Sequence, residues 1–151
     1  MEIREISDDE LRQEWSRRFN LPKGTHLKNA AQTADHLRQF YRESAKDREL
    51  FVMIYLSAQN TVIHTEVLFE GTVNTAAIYP RELVKRVLID HPGTTNVIIS
   101  HNHPSGEITP SNSDKAITVK LKSALKSIDV ELLDHVILGL DFFSFADHHL
   151  L

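Results

Sequence analysis

His101 and His103 are separated by one residue, and Ser111 and Asp114 follow within the same fourteen-residue stretch, HNHPSGEITPSNSD. Residues i and i+2 of an extended chain project to one face, so both imidazoles can reach a common point. Asp114 sits three residues into the helix expected from Ser111, which lets its carboxylate turn back toward that point. Two imidazoles and a carboxylate with one open position make a catalytic rather than a closed structural Zn2+ site. Such an ion lowers the pKa of its water to about 7 and polarises a carbonyl. Ser111 is the local candidate to steady a developing oxyanion. The bland alternative is a capping box, with Ser111 and Asp114 satisfying backbone N–H groups.

The elements around this stretch read as alternating strands and helices. The apolar run 96–100 is short enough to be a central strand buried on both faces. Ile117, Leu121, Ala124, Leu125 and Ile128 mark one face of a helix from Ser111 to about Ser127. Upstream, 49–57 and 61–69 read as a hairpin turning at 58–60. Residues 79–93 read as a helix with proline in its first turn, burying Leu83, Val84, Val87 and Leu88. Residues 29–46 form another helix, with Ala30, Ala34, Leu37 and Tyr41 on its stripe. Strands follow at 130–140 and 142–147. This pattern predicts an α/β (α+β) domain, a mixed β-sheet flanked by helices. Residues 1–28 read as an N-terminal helical extension, with Leu11, Trp15 and Phe19 at helical spacing, and 29–151 as the domain.

The bulk properties narrow the function. A chain of 151 residues suits one domain. It has no cysteine, which removes disulfides, thiolate zinc sites and a thiol nucleophile, and fits a cytoplasmic protein. The net charge of −4 lacks the basic footprint of a duplex-DNA binder. The N-terminus lacks the apolar core of a signal peptide, and apolar runs are too short to span a membrane.

The spacing His-x-His-x7-Ser-x2-Asp resembles the JAMM motif of MPN+ (JAB-domain) metalloproteases. HNHPSGEITPS, with LFEGTVNTAAIYPREL before it and LLDHVILG after it, is similar to the RadC-like branch of that superfamily over about residues 30–151. The resemblance implies a JAB/MPN fold related to the cytidine-deaminase-like architecture. It implies His101, His103 and Asp114 as Zn2+ ligands and Ser111 as oxyanion helper. It also implies an upstream glutamate as general base, here assigned to Glu66, with Glu70 and Glu82 as rivals. The activity implied is hydrolysis of an amide bond in an unknown protein or peptide substrate. His64 shares a strand face with Glu66. Asp134 and His135 are candidates to orient a metal-ligating imidazole through its second nitrogen. His36 and His91 read as surface residues.

The alternative is a DNA-repair-associated accessory factor that touches nucleic acid through Lys115, Lys120, Lys122 and Lys126. Against it, the first 28 residues are too short for the helix-hairpin-helix module usual in longer RadC-like proteins. A homo-oligomer stays open.

Overall fold

The computed structural model describes Ser7, Glu10, Gly24–Ser44 and Arg48–Leu151. Ser7 and Glu10 form a reciprocal cap: the Glu10 N–H donates to the Ser7 hydroxyl (3.2 Å), and the Ser7 N–H donates to the Glu10 carboxylate (3.0 Å). Leu11, Trp15 and Phe19 lie outside the described residues.

Helix α1 is Ala30–Ser44. Asn29 caps it by accepting from the Gln32 N–H at 2.8 Å. Strands β1 (Leu50–Leu56) and β2 (Val62–Glu70) follow. Helix α2 (Pro80–Lys85) widens into a π-helical turn, Arg86–Asp90, before β3 (Asn96–Asn102). Helix α3 is Asn112–Lys126, and β4 (Glu131–Leu138) and β5 (Phe142–Ser144) complete the chain. The sheet order is β2-β1-β3-β4-β5. Among the described strands only β3 and β4 run parallel, and α3 is the crossover between them. The result is the mixed sheet flanked by helices that the sequence pattern predicts.

Strand β1 is buried along its whole length because it lies inside the sheet with helices on both faces. Its alternate residues divide between two cores. Leu50, Val52, Ile54 and Leu56 pack with Leu37 and Tyr41 of α1. Phe51, Met53 and Tyr55 pack with Leu83, Val87, Ile117 and Leu121 from α2, the π turn and α3. Each large apolar side chain fully buried in this way contributes about 1.5–3 kcal/mol. Strand β3 is likewise buried from Val97 to His101, and it carries His101 into the second core layer.

Three expectations are corrected. Leu88 is 52% exposed, not buried. The His91 N–H bonds to the Arg86 carbonyl, an i→i+5 closure, and the wide turn rotates the helical stripe past Leu88. His36 is buried on α1 at 7% exposure. The Lys120 ammonium is occupied by the carbonyls of Thr75 and Ile78, so it ties the 71–79 loop to α3.

Candidate metal centre

The C-terminal end of β3, the residue after it and the first turn of α3 bring His101, His103 and Asp114 together. His101 is inside the strand, where its ring stacks on Phe51 (6.1 Å, 9° between planes), which in turn stacks on Phe69 (4.9 Å). His103 follows the strand and is fixed by its N–H to the Leu138 carbonyl (2.7 Å). Gly106, at φ 87°, reverses the chain, and its carbonyl accepts from the Leu140 N–H at 3.1 Å. The loop and the β4–β5 turn touch so closely that a Cβ on Gly139 would fall on the Gly106 carbonyl and 2.8 Å from Cγ2 of Ile108. Glu107 stiffens the return by accepting from the N–H groups of Ile108 (3.1 Å) and Thr109 (3.0 Å).

The donor atoms converge. Nε2 of His101 lies 2.8 Å from Nε2 of His103 and 3.2 Å from Oδ1 of Asp114. Nε2 of His103 lies 3.8 Å from Oδ2 of Asp114. Around a tetrahedral ion with bonds of ~2.0–2.1 Å, neighbouring ligand atoms are ~3.3–3.4 Å apart, and the three separations straddle that value.

The hydrogen bonds behind these atoms set their tautomers. Nδ1 of His103 lies 2.6 Å from the Glu107 carbonyl, which can only accept, so Nδ1 carries the hydrogen and Nε2 a lone pair. His101 is set by a longer chain. The Thr118 hydroxyl donates to the Asp114 carbonyl at 2.6 Å. It therefore accepts from Nδ1–H of His135, also at 2.6 Å. Burial, and then the neighbouring His101, hold the His135 pKa well below its ordinary value. A neutral His135 with hydrogen on Nδ1 has its lone pair on Nε2, which accepts from Nδ1–H of His101 at 2.8 Å. His101 thus also presents a bare Nε2.

Asp114 completes the set as a carboxylate. Burial alone would raise its pKa, but His101, 3.2 Å away, and the Ser111 N–H (2.8 Å) hold it below the usual carboxylate range. Two imidazole lone pairs and a carboxylate facing one another inside a protein call for a cation between them. The donor chemistry therefore fits a divalent metal of the kind imidazole favours.

Ser111 is at the site in the capping arrangement: its oxygen accepts from the Asp114 N–H at 3.0 Å. The same bonds orient the Asp114 carboxylate, so the cap and the candidate ligand are one device. Asp134 and His135, considered together in the sequence, point to opposite sides of the sheet. His135 supports His101, while Asp134 accepts from the Ser144 hydroxyl (2.5 Å) and the N–H groups of His135 (2.7 Å) and Ala146 (2.9 Å). Its carboxylate, pushed up by burial, anchors the turn after β5 and does not orient a ligand.

Glu66 is on the same sheet face but outside this cluster. It pairs across β1 through Met53 to Ile99, two residues before His101. Its carboxylate accepts from the Tyr55 hydroxyl and from Nη1 of Arg86 (3.1 Å), with His64 and His91 beside it. Burial opposes ionisation there, yet His64, His91, Tyr55 and Arg86 together hold its pKa far below the carboxylate range. Glu70 pairs with Arg48 at the surface, and Glu82 pairs with Nε of Arg86 at 3.4 Å. Thr118, Tyr55 and Arg86 are not singled out by the sequence pattern, and His91, read there as a surface residue, is partly buried beside Glu66. The spacing of Asp114 and Thr118, four apart on one helix face, was the available signal for the first of them.

Among the described residues, no helix is long and apolar enough to cross a membrane. Residues 27–150 match the family model described as the RadC-like JAB domain. The chain is 43% identical over 135 residues to the UPF0758 protein YkfG of Escherichia coli, covering 87% of this chain and 84% of YkfG. It is 46% identical over 106 residues to the UPF0758 protein YfjY of Escherichia coli, covering 70% of this chain and 65% of YfjY. A UPF0758 protein of Vibrio atlanticus is 42% identical over 119 residues, and there the match spans 51% of the relative's length. With its family model matched from the segment before α1 to the penultimate residue, the chain belongs to the RadC-like JAB-domain family.

Proposed function

We propose that this protein is a metallohydrolase that cleaves an amide bond in a protein or peptide, with Zn2+ held by His101, His103 and Asp114. The observation that carries this reading is the convergence of two tautomer-fixed Nε2 lone pairs and one carboxylate at a single point. Three protein donors leave a position for water or substrate.

The chain's own groups have separate tasks. His135 and Thr118 keep hydrogen off Nε2 of His101. Ser111 holds Asp114 and donates its hydroxyl hydrogen to the substrate oxyanion. Glu66 is the general base. That role requires Arg86 to leave its carboxylate, and Glu82, already 3.4 Å from Arg86 Nε, is the waiting partner.

The test combines zinc content with hydrolysis of a quenched fluorescent peptide library. The reading expects chelator-sensitive cleavage that His101→Ala abolishes while its far-UV circular dichroism stays native. Full activity in His101→Ala would end it.

A further inference from the structure

A second set of metal-ligating groups lies on the same sheet face, away from His101. His64 and Glu66 are two apart on β2, so they share that face, and they pair laterally with Tyr55 and Met53 of β1. His91 closes the π turn and comes over them. Its ring lies parallel to that of His64, with centroids 4.3 Å apart and 20° between planes, and 4.2 Å from that of Tyr55.

Nε2 of His64 is 3.7 Å from Oε2 of Glu66, and Nε2 of His91 is 3.7 Å from Oε1. One ligand atom from each of the three residues lies within 4.8 Å of the others. A separation of 3.7 Å is too long for a hydrogen bond. For His64 and Oε2 it is near the spacing of ligand atoms around a shared ion, ~3.3–3.4 Å for tetrahedral zinc, while His91 approaches the same carboxylate from its Oε1 side. The two carboxylate oxygens are differently used. Oε1 receives the Tyr55 hydroxyl and the Arg86 guanidinium, as the outer oxygen of a monodentate metal ligand commonly does, whereas Oε2 faces His64. The side chains of His64, Glu66 and His91 are 20%, 22% and 17% exposed, so solvent ions can reach them. Arg86 adds a positive charge nearby, but it sits on the Oε1 side and shares itself with Glu82.

We propose that His64, Glu66 and His91 form a second, weaker site for a divalent cation that favours imidazole, such as Zn2+. This proposal rests on different observations from the hydrolase reading. If both hold, the two uses of Glu66 exclude each other, because a carboxylate bound to a cation does not accept a proton.

The experiment titrates metal-stripped, untagged full-length protein with Zn2+ and counts bound equivalents. Wild type should bind two, with the weaker one lost in His64→Ala/His91→Ala and in Glu66→Gln. His148→Ala/His149→Ala should still bind two, which separates the site from the terminal histidine pair. His101→Ala should lose the tighter equivalent and keep the weaker, so failure at one site is distinguishable from failure at the other. A wild-type readout avoids any folding defect: the second equivalent of Zn2+ should protect His64 and His91 from diethyl pyrocarbonate, mapped by peptide mass spectrometry. Equal modification with one and two equivalents, or unchanged stoichiometry in the folded variants, would overturn the proposal.

Discussion

The Thr118 hydroxyl joins the backbone of Asp114 to the ring that supports His101: it donates to the Asp114 carbonyl and accepts from Nδ1 of His135, both at 2.6 Å. Through His135 this single hydroxyl decides which nitrogen of His101 is bare. Thr118→Val keeps the shape and removes the hydroxyl. Metal affinity should fall roughly 10- to 100-fold, as for other residues that orient a ligating imidazole. Competition with a chromophoric chelator measures it; an unchanged affinity would show that the tautomer is set elsewhere.

Gly139 matters through space. A Cβ there would strike the Gly106 carbonyl and Ile108, forcing the loop that carries His103 away from β4. Gly139→Ala should cost about 1–3 kcal/mol, within the range for overpacking. At about 2–4 °C per kcal/mol for a chain of this size, the melting temperature should drop by several degrees. Thermal unfolding followed by circular dichroism checks this.

His36 makes stability depend on pH. Burial pushes its pKa down from the ordinary 6.5 to about 4, and its Nε2 has no hydrogen-bond partner among the described residues. The unfolded chain therefore takes up this proton more readily than the folded one. The stabilisation is complete above about pH 6.5 and is lost as pH falls toward 4, by up to about 3 kcal/mol. His36→Leu should flatten the stability profile over that interval. Denaturant melts at pH 7 and pH 5 should differ less in the variant than in wild type.

Glu66→Gln separates base from ligand. If Glu66 takes the proton, cleavage should slow by roughly 10²- to 10⁴-fold, with tight Zn2+ binding at His101 and His103 unchanged. Equal loss of rate and of the tight equivalent would place Glu66 with the metal rather than with the proton.

The convergence of His101, His103 and Asp114 is legible in the sequence because its logic is local. His101 and His103 share a face by the two-residue period of a strand, and Ser111 and Asp114 share a helix turn. The assembly behind them was not, because it crosses the sheet: Thr118 reads as an ordinary helix residue until β4 lays His135 against it. Asp134 and His135 were joined by sequence adjacency, yet the same two-residue period sends neighbours in a strand to opposite faces. Leu88 was misplaced because a π turn has no clear signature in the spacing of apolar residues. The partners of Glu66 come from β1, β2 and the π turn, so only tertiary structure brings Tyr55, Arg86 and His91 to it.

The most direct test of the metal centre is anomalous diffraction at the zinc edge from crystals of protein purified without added metal. The account predicts a peak within bonding distance of Nε2 of His101, Nε2 of His103 and the Asp114 carboxylate. Ordered ligand side chains with no anomalous peak between them, even after soaking in Zn2+, would contradict it.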